Sequence, residues 1–268
     1  MNRTVGFIGC GNIAKSIIGG MMRANFIKPE QIIVSNRSLP SLQEVEQTYG
    51  ILTTTNNLEV ARKADFLFLT TTSDMYGPVL EEIRDELKEN AILILIAVGE
   101  TIEKNERRLN RPMKVIKAMP NTPALVGEGI TGVAINSFVT PGDQEEIKAL
   151  FESFGRVEFV NESIMDVVTA VGGSSPAFSY MFIEALADGA VMHGMSRKQA
   201  YVFAAQAVLG AAKMLLETEA HPGTLKDNVC SPGGTTIESV ARLEEMGLRS
   251  AVIEAIKVNI EKAKKIHG

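Results

Sequence analysis

Gly9-Cys10-Gly11-Asn12-Ile13-Ala14 follows directly on the short apolar run Val5–Ile8 and opens a helical pattern over Ile13–Ala24. Small residues at this spacing suit the recognition of a dinucleotide pyrophosphate. Gly9 allows the tight turn, Gly11 lets the backbone approach the ligand, and Ala14 lets the helix pack close to the strand. The helix start at Asn12 and Ile13 offers unpaired N–H groups and a positive dipole end to the phosphates. The next apolar run, Ile32–Val34, ends in Ser35-Asn36-Arg37-Ser38 and carries no acid. An Asp or Glu there would hold the ribose hydroxyls of NAD, whereas a neutral residue beside an arginine suits a 2′-phosphate. The pattern predicts NADPH as the preferred cofactor, with NADH as the lesser one.

A second glycine-rich stretch, Ser231-Pro232-Gly233-Gly234-Thr235-Thr236-Ile237-Glu238, precedes another helical pattern. Its spacing supports two readings. Thr235 and Glu238 fit a capping box. Equally, exposed N–H groups at the helix start could bind a carboxylate, with threonine hydroxyls on a polar atom of the same ligand. Gly172 to Ala177 reads as punctuation, with Pro176 in the first turn of a helix and Ser175 as its cap. Met119-Pro120-Asn121-Thr122-Pro123 reads as a rigid loop at the carboxyl end of a strand, where doubly wound sheets place ligands. His193, His221 and His267 do not have a metal-ligand spacing and read as non-catalytic, so no metal is expected. Nothing in the sequence near Cys230 would activate its thiolate, and packing is its expected role.

The elements that must position these residues alternate through the first half. Apolar runs at Val5–Ile8, Ile32–Val34, Ala64–Thr70, Ala91–Ala97, Lys114–Ala118 and Gly132–Ile135 are separated by helical patterns such as Leu39–Tyr49 and Pro78–Leu87. Continuous rather than alternating apolar strands predict a parallel sheet covered on both faces. After a last strand at Val157–Val160 no strand pattern follows. Helical patterns fill Ala177–Gly194, Arg197–Glu217, Thr236–Glu245 and Arg249–Lys265. The expected fold class is therefore α/β, a Rossmann-like doubly wound sheet over residues 1–160 followed by an all-helical domain over residues 161–268.

Composition narrows the function classes. The 268 residues include 45% hydrophobic and 22% charged side chains, values of an ordinary globular chain. A net charge of −5 with no tryptophan and four tyrosines argues against nucleic acid as a partner. The N-terminal stretch lacks the apolar core of a signal peptide. The longest apolar run, Ala91–Gly99, is too short to span a bilayer, so no membrane partner is expected. Two cysteines far apart, Cys10 and Cys230, exclude a disulfide framework and fit a cytoplasmic protein.

Six segments together, in order, identify a resemblance: FIGCGNIA (7–14), MPNTPALVGEG (119–129), VTAVGGSSPA (168–177), FIEALADGAV (182–191), LGAAKMLLE (209–217) and HPGTLKDNVCSPGGTTI (221–237). The chain resembles the 1-pyrroline-5-carboxylate reductases over essentially its whole length. The resemblance implies hydride transfer from a nicotinamide to the C=N carbon of a cyclic imine, giving L-proline. It implies a helical domain that forms an interleaved homodimer, dimers that assemble into larger rings, and an active site between the cofactor domain and helices of the dimer. By the same resemblance, Ser231, Gly233, Gly234 and Thr235 belong to the carboxylate-binding loop. Thr236 meets the ring nitrogen as the catalytic residue, Glu219 lies near the substrate, Asn228 near the nicotinamide, and Asn57 near the adenosine ribose or phosphate.

Two segments depart from the family. Thr70-Thr71-Thr72-Ser73 stands where the family usually carries Ala-Val-Lys-Pro, so a cation beside the cofactor is replaced by hydroxyls. Thr71 and Thr72 can donate hydrogen bonds to phosphate in its place. The segment Leu95 to Glu100, which includes the cofactor-side Ala97, carries an acid that is unusual so near the cofactor. These changes predict an altered cofactor affinity and an unaltered substrate. The missing lysine and proline also leave open a non-catalytic NADP-binding regulatory paralogue. A related imine or β-hydroxyacid oxidoreductase is the other alternative, its lysine then being Lys213.

Overall fold

The computed structural model describes residues 3–267, with the His267 side chain outside the description. Contacts divide the chain into two compact units, Met1–Ser174 with Asn259–Gly268, and Ser175–Val258.

The first unit is built on eight strands: β1 (Val5–Ile8), β2 (Ile32–Ser35), β3 (Leu52–Thr54), β4 (Phe66–Leu69), β5 (Ile92–Leu95), β6 (Lys114–Met119), β7 (Gly129–Ile135) and β8 (Gly155–Phe159). They lie in the order β3-β2-β1-β4-β5-β6-β7-β8. The sheet is parallel except where β7 runs antiparallel to β6, a correction to the all-parallel expectation. The short connection from β6 to β7 contains a single turn of 3-10 helix, Thr122–Val126, and no crossover helix to reverse the chain a second time.

The apolar runs are continuous because both faces are covered. Phe7, Phe66, Phe68, Ile92 and Ile94 form one core with α1 (Asn12–Arg23) and a later helix over residues 141–152. Phe7 and Phe68, partners in register on β1 and β4, stack with ring centroids 4.7 Å apart. The alternate residues Ile8, Ile33, Leu67, Leu69, Leu93 and Leu95 form the other core with three helices on the opposite face of the sheet, whereas Leu42 and Val45 of the helix over residues 39–49 join the first core. Here α2 is Leu39–Tyr49, α3 Asn57–Lys63, α4 Tyr76–Ile83 and α5 Ile102–Leu109. Within that layer α3, α4 and α5 supply Val60, Tyr76, Leu80, Ile83 and Leu109.

After α6 (Pro141–Glu152) and the short α7 (Met165–Val168), the helix widens to a π-turn over Thr169–Ser174 and runs on as α8 (Ser175–Met192). Ser175 is thus the first residue of a continued helix, not the cap expected of it. Pro176 has no N–H for the Gly172 carbonyl four residues earlier. That carbonyl instead accepts from Asn121 Nδ2 at 2.9 Å, while Asn121 Oδ1 accepts from the Ile130 N–H at 3.1 Å. The Met119–Pro123 loop is therefore a structural tie in this unit, with Ala124 buried beside it.

The second unit contains α8, α9 (Arg197–Thr218), α10 (Pro222–Val229), α11 (Thr235–Glu245) and the first half of α12 (Leu248–His267). Its buried core consists of Ala187, Ala200 and Ala204 alone among the described residues. Large apolar side chains stand exposed, including Met181 at 69%, Phe203 at 66% and Met192 at 84%. A groove of about 670 Å³ among Phe178, Met181, Phe182, Val208 and Val252 is lined almost wholly by carbon. By length and composition α9 could cross a membrane, with a mean hydropathy of 1.3 and 11% of that stretch buried.

Candidate active site

At the carboxyl ends of β1, β2 and β4 the first unit opens a cleft of about 290 Å³. It is lined by Gly9, Cys10 and Gly11 from the first turn, by Ser35, Asn36 and Arg37 from the end of β2, by Asn57, and by Thr70, Thr71 and Thr72. The structure thus brings together seven of the expected cofactor residues, Gly9, Gly11, Asn36, Arg37, Asn57, Thr71 and Thr72. Asn12, Ile13 and Ala14 form the first turn of α1 behind it, with Ala14 fully buried. Ala97 lies outside the lining, at the end of β5, and Asn228 belongs to α10 of the other unit.

Each wall has a local cause. Gly9 has φ +105°, a conformation that L side chains avoid, and a Cβ there would sit 2.8 Å from the Thr70 carbonyl carbon and oxygen. The Thr70 hydroxyl ties the two loops, donating within reach of the Ile8 and Gly9 carbonyls at 3.0 and 2.7 Å. Asn57 is held at both ends of its amide: Ser35 Oγ donates to Oδ1 at 2.7 Å, and Nδ2 donates to Glu82 Oε2 at 2.9 Å. Sequence reasoning missed Ser35 and Glu82 as supports, and Met75 and Val79 as lining. The latter two are one turn apart on and beside α4 and carry no signal beyond helical spacing.

Two observations test whether a dinucleotide fits. Thr71 Oγ1 is buried and has no hydrogen-bond partner among the described residues. Such a hydroxyl costs about 1–3 kcal/mol unless a ligand completes it. A Cβ built on Gly11 meets nothing within 4 Å, so the space in front of the helix start is open. A donor without an acceptor and an empty approach to backbone N–H groups suit a phosphate.

Cys10 is buried in this wall, and burial pushes its thiol pKa up, so it stays protonated. Glu100 is not among the residues that line the cleft. It is 1% exposed, and its carboxylate is paired with Lys104 at 3.0 Å, with Arg108, and with Asn105 Nδ2 at 2.9 Å. The acid that looked misplaced in the sequence anchors α5.

In the second unit the glycine-rich loop leads into α11. Gly233 has φ +68°, the Gly234 N–H donates to the Ser231 carbonyl at 3.0 Å, and Gly234 itself is the N-cap. The expected capping box does not form, because Thr235 lies inside the helix and no side chain caps it. The first-turn N–H groups, at Thr235 and Thr236, therefore have no partner within the helix. Thr235 is exposed and Thr236 half-buried. Glu219 closes α9 in a left-handed conformation, φ +52°, with its side chain exposed. His221 is a helix cap: its Nδ1 accepts from the Gly223 N–H at 3.0 Å. Lys213 is an exposed partner of Glu217 at 3.6 Å. Among the described residues no group of three His, Cys, Asp or Glu could hold a metal ion.

A dinucleotide cleft on a Rossmann-like sheet, followed by an all-helical unit with bare apolar faces, defines the class of two-domain dinucleotide-dependent oxidoreductases. Residues 162–266 match the family described as pyrroline-5-carboxylate reductase dimerisation, and residues 4–99 match the one described as NADP oxidoreductase coenzyme F420-dependent. The pyrroline-5-carboxylate reductase of Escherichia coli is 47% identical over 99% of both chains. The crystal structure of Plasmodium falciparum pyrroline carboxylate reductase with NADP bound superposes with a TM-score of 0.90 at 31% identity, covering 100% of this chain and 99% of that one. The Coxiella burnetii pyrroline-5-carboxylate reductase gives 0.89 at 34%, covering all of both chains. The chain belongs to the pyrroline-5-carboxylate reductase family.

Proposed function

We propose that this chain reduces 1-pyrroline-5-carboxylate to L-proline with NADPH, and that residues 1–160 hold the cofactor while residues 161–268 supply the substrate loop and the dimer face. The observation that carries the reading is the cleft itself, an open approach at Gly11 beside the orphaned Thr71 hydroxyl, in a chain of this family. The protein is an NADP-dependent oxidoreductase of proline biosynthesis and forms a homodimer. A larger ring of dimers and a cytoplasmic location are further parts of the proposal. Cys10 and Cys230 without a disulfide partner support the location.

NADPH bound in the cleft supplies the hydride. Gly9, Gly11 and the first turn of α1, from Asn12 to Ala14, hold the pyrophosphate. Thr71 and Thr72 donate to phosphate oxygens where the family carries a lysine, and Asn57 orients toward the ribose. Asn36 and Arg37 take the 2′-phosphate, and the family resemblance assigns Ala97 and Asn228 to the nicotinamide. Arg37→Ala is accordingly expected to raise KM for NADPH about tenfold, the worth of one charge-assisted contact. KM for NADH should stay within about twofold, as steady-state kinetics with each cofactor would show.

An imine carbon in its protonated form is already electrophilic, so the chain's main work is positioning. The uncapped amides at Thr235 and Thr236, with Ser231, Gly233 and Gly234 shaping the turn, hold the substrate carboxylate. Glu219 closes the substrate side. The Thr236 hydroxyl hydrogen-bonds the ring nitrogen, which takes up the proton that makes the carbon electrophilic before the hydride arrives. Thr236→Ala is expected to lower kcat about 100-fold, within the range for a positioned proton-transfer group, with NADPH affinity unchanged. Thr236→Ser, which keeps the hydroxyl, should restore most of the rate. A full-rate Thr236→Ala enzyme would remove Thr236 from the chemistry.

A further inference from the structure

Tyr76 is fully buried at the start of α4, one residue after Met75 of the cleft wall. Its hydroxyl donates to the Leu69 carbonyl at 2.6 Å and accepts from the Ile96 and Ala97 N–H groups, each at 3.0 Å. A phenol has one donor and room for two acceptors' worth of incoming hydrogen. All three are used. Leu69 is the last residue of β4 and leads straight into Thr70, Thr71 and Thr72 of the cleft. Ile96 and Ala97 are the first residues beyond β5, where the strand ladder stops. One oxygen therefore joins two adjacent strand ends just where they diverge, and it also fixes the α4 start to both.

We infer that Tyr76 is the positioning residue of the cofactor cleft, its hydroxyl fixing the Thr70–Thr72 loop and the Ala97 backbone in the geometry that receives NADPH. The inference rests on the cofactor reading above. It explains how the loop is held although Thr72-Ser73 lacks the rigid proline that the family usually carries there. Burial pushes the phenol pKa upward, so the hydroxyl stays protonated and the Leu69 bond persists across the working pH range. Leu69 and Leu95 are the last register pair of β4 and β5, and the Tyr76 hydroxyl carries the link beyond it to Ile96 and Ala97.

Tyr76→Phe keeps the ring and deletes the oxygen. The Kd for NADPH, read by titration of cofactor fluorescence well below the melting temperature, is expected to rise about tenfold. Ile83→Val serves as the control, because it loosens a buried side chain of the same helix with no polar link to the strand ends. It should lower the melting temperature and leave Kd within twofold of wild type. If both variants melt lower and neither changes Kd, Tyr76 is a packing residue and the inference fails. If Tyr76→Phe does not fold, amide exchange in the wild-type protein decides. Ile96 and Ala97 protected before NADPH is added support the clamp, and exchange as fast as that of open loops overturns it. These readouts concern NADPH binding alone, so failure of the wild-type protein to reduce the imine would sink the proposed reaction without touching this result.

Discussion

Gly11→Ala is expected to raise the Kd for NADPH about 100-fold, roughly 2.7 kcal/mol, while the fold and melting temperature stay nearly as they are. Two glycines two residues apart differ in what a methyl group would meet. Gly11 has φ −86° and ψ −175°, a conformation open to any residue, and its Cβ would meet nothing within 4 Å. Alanine there loses only the modest preference of an N-cap for glycine, about 1 kcal/mol at most. What its methyl group fills is the open space in front of the α1 amides, the approach that the proposed pyrophosphate site requires. Gly9 differs on both counts, with φ +105° and a Cβ pressed to 2.8 Å from the Thr70 backbone. Gly9→Ala should therefore destabilise the protein by several kcal/mol and weaken the cofactor as a consequence. Calorimetry and NADPH titration on the pair separate the effects. Equal losses of stability in the two variants would contradict this assignment.

Phe203→Glu is expected to dissociate the dimer, raising its dissociation constant about 1,000-fold, or roughly 4 kcal/mol, and to abolish turnover. The second unit cannot support itself on three buried alanines. Alanines at the contact of α8 and α9 let those helices approach closely and leave their larger side chains facing outward. Phe203, 66% exposed on α9, is one of many large apolar side chains this unit leaves exposed, the mark of an interaction surface. A second copy of the same unit can cover it, in line with the dimerisation family that spans residues 162–266. A glutamate at that position would have to bury an unpaired charge. NADPH affinity should survive, because every lining residue of the cofactor cleft belongs to the first unit. Light scattering and cofactor titration on the same sample test both halves.

How much of this was legible in the sequence follows from how local each cause is. The Gly9 to Ala14 fingerprint was readable because its requirements are backbone requirements within one turn. The buried strands were readable because sheets covered on both faces need unbroken apolar runs. Strand β3 was missed: it is a three-residue edge strand, Leu-Thr-Thr, with no buried residue. Helix α10 was missed because eight largely polar residues carry little periodicity. The capping box at Thr235 and Glu238 failed by one position, since Gly234 takes the cap and shifts both residues into the helix. The ties that shape the cleft, Asn57 to Glu82 and Tyr76 to Ala97, join residues 25 and 21 positions apart. Such bonds exist only after the sheet order is set, and no spacing rule reports them. Glu100 shows the reverse case, an acid that looked out of place beside the cofactor in sequence and proved to be a buried anchor for Arg108 and Lys104.

The central claim is most directly tested by following the hydride. The purified protein would be incubated with 1-pyrroline-5-carboxylate and NADPH carrying deuterium at C4 of the nicotinamide, and the product examined by mass spectrometry and NMR. The account predicts L-proline with one deuterium at C5, formed in step with NADPH oxidation and faster than with NADH. Binding of NADPH with no labelled proline at any protein concentration would contradict it.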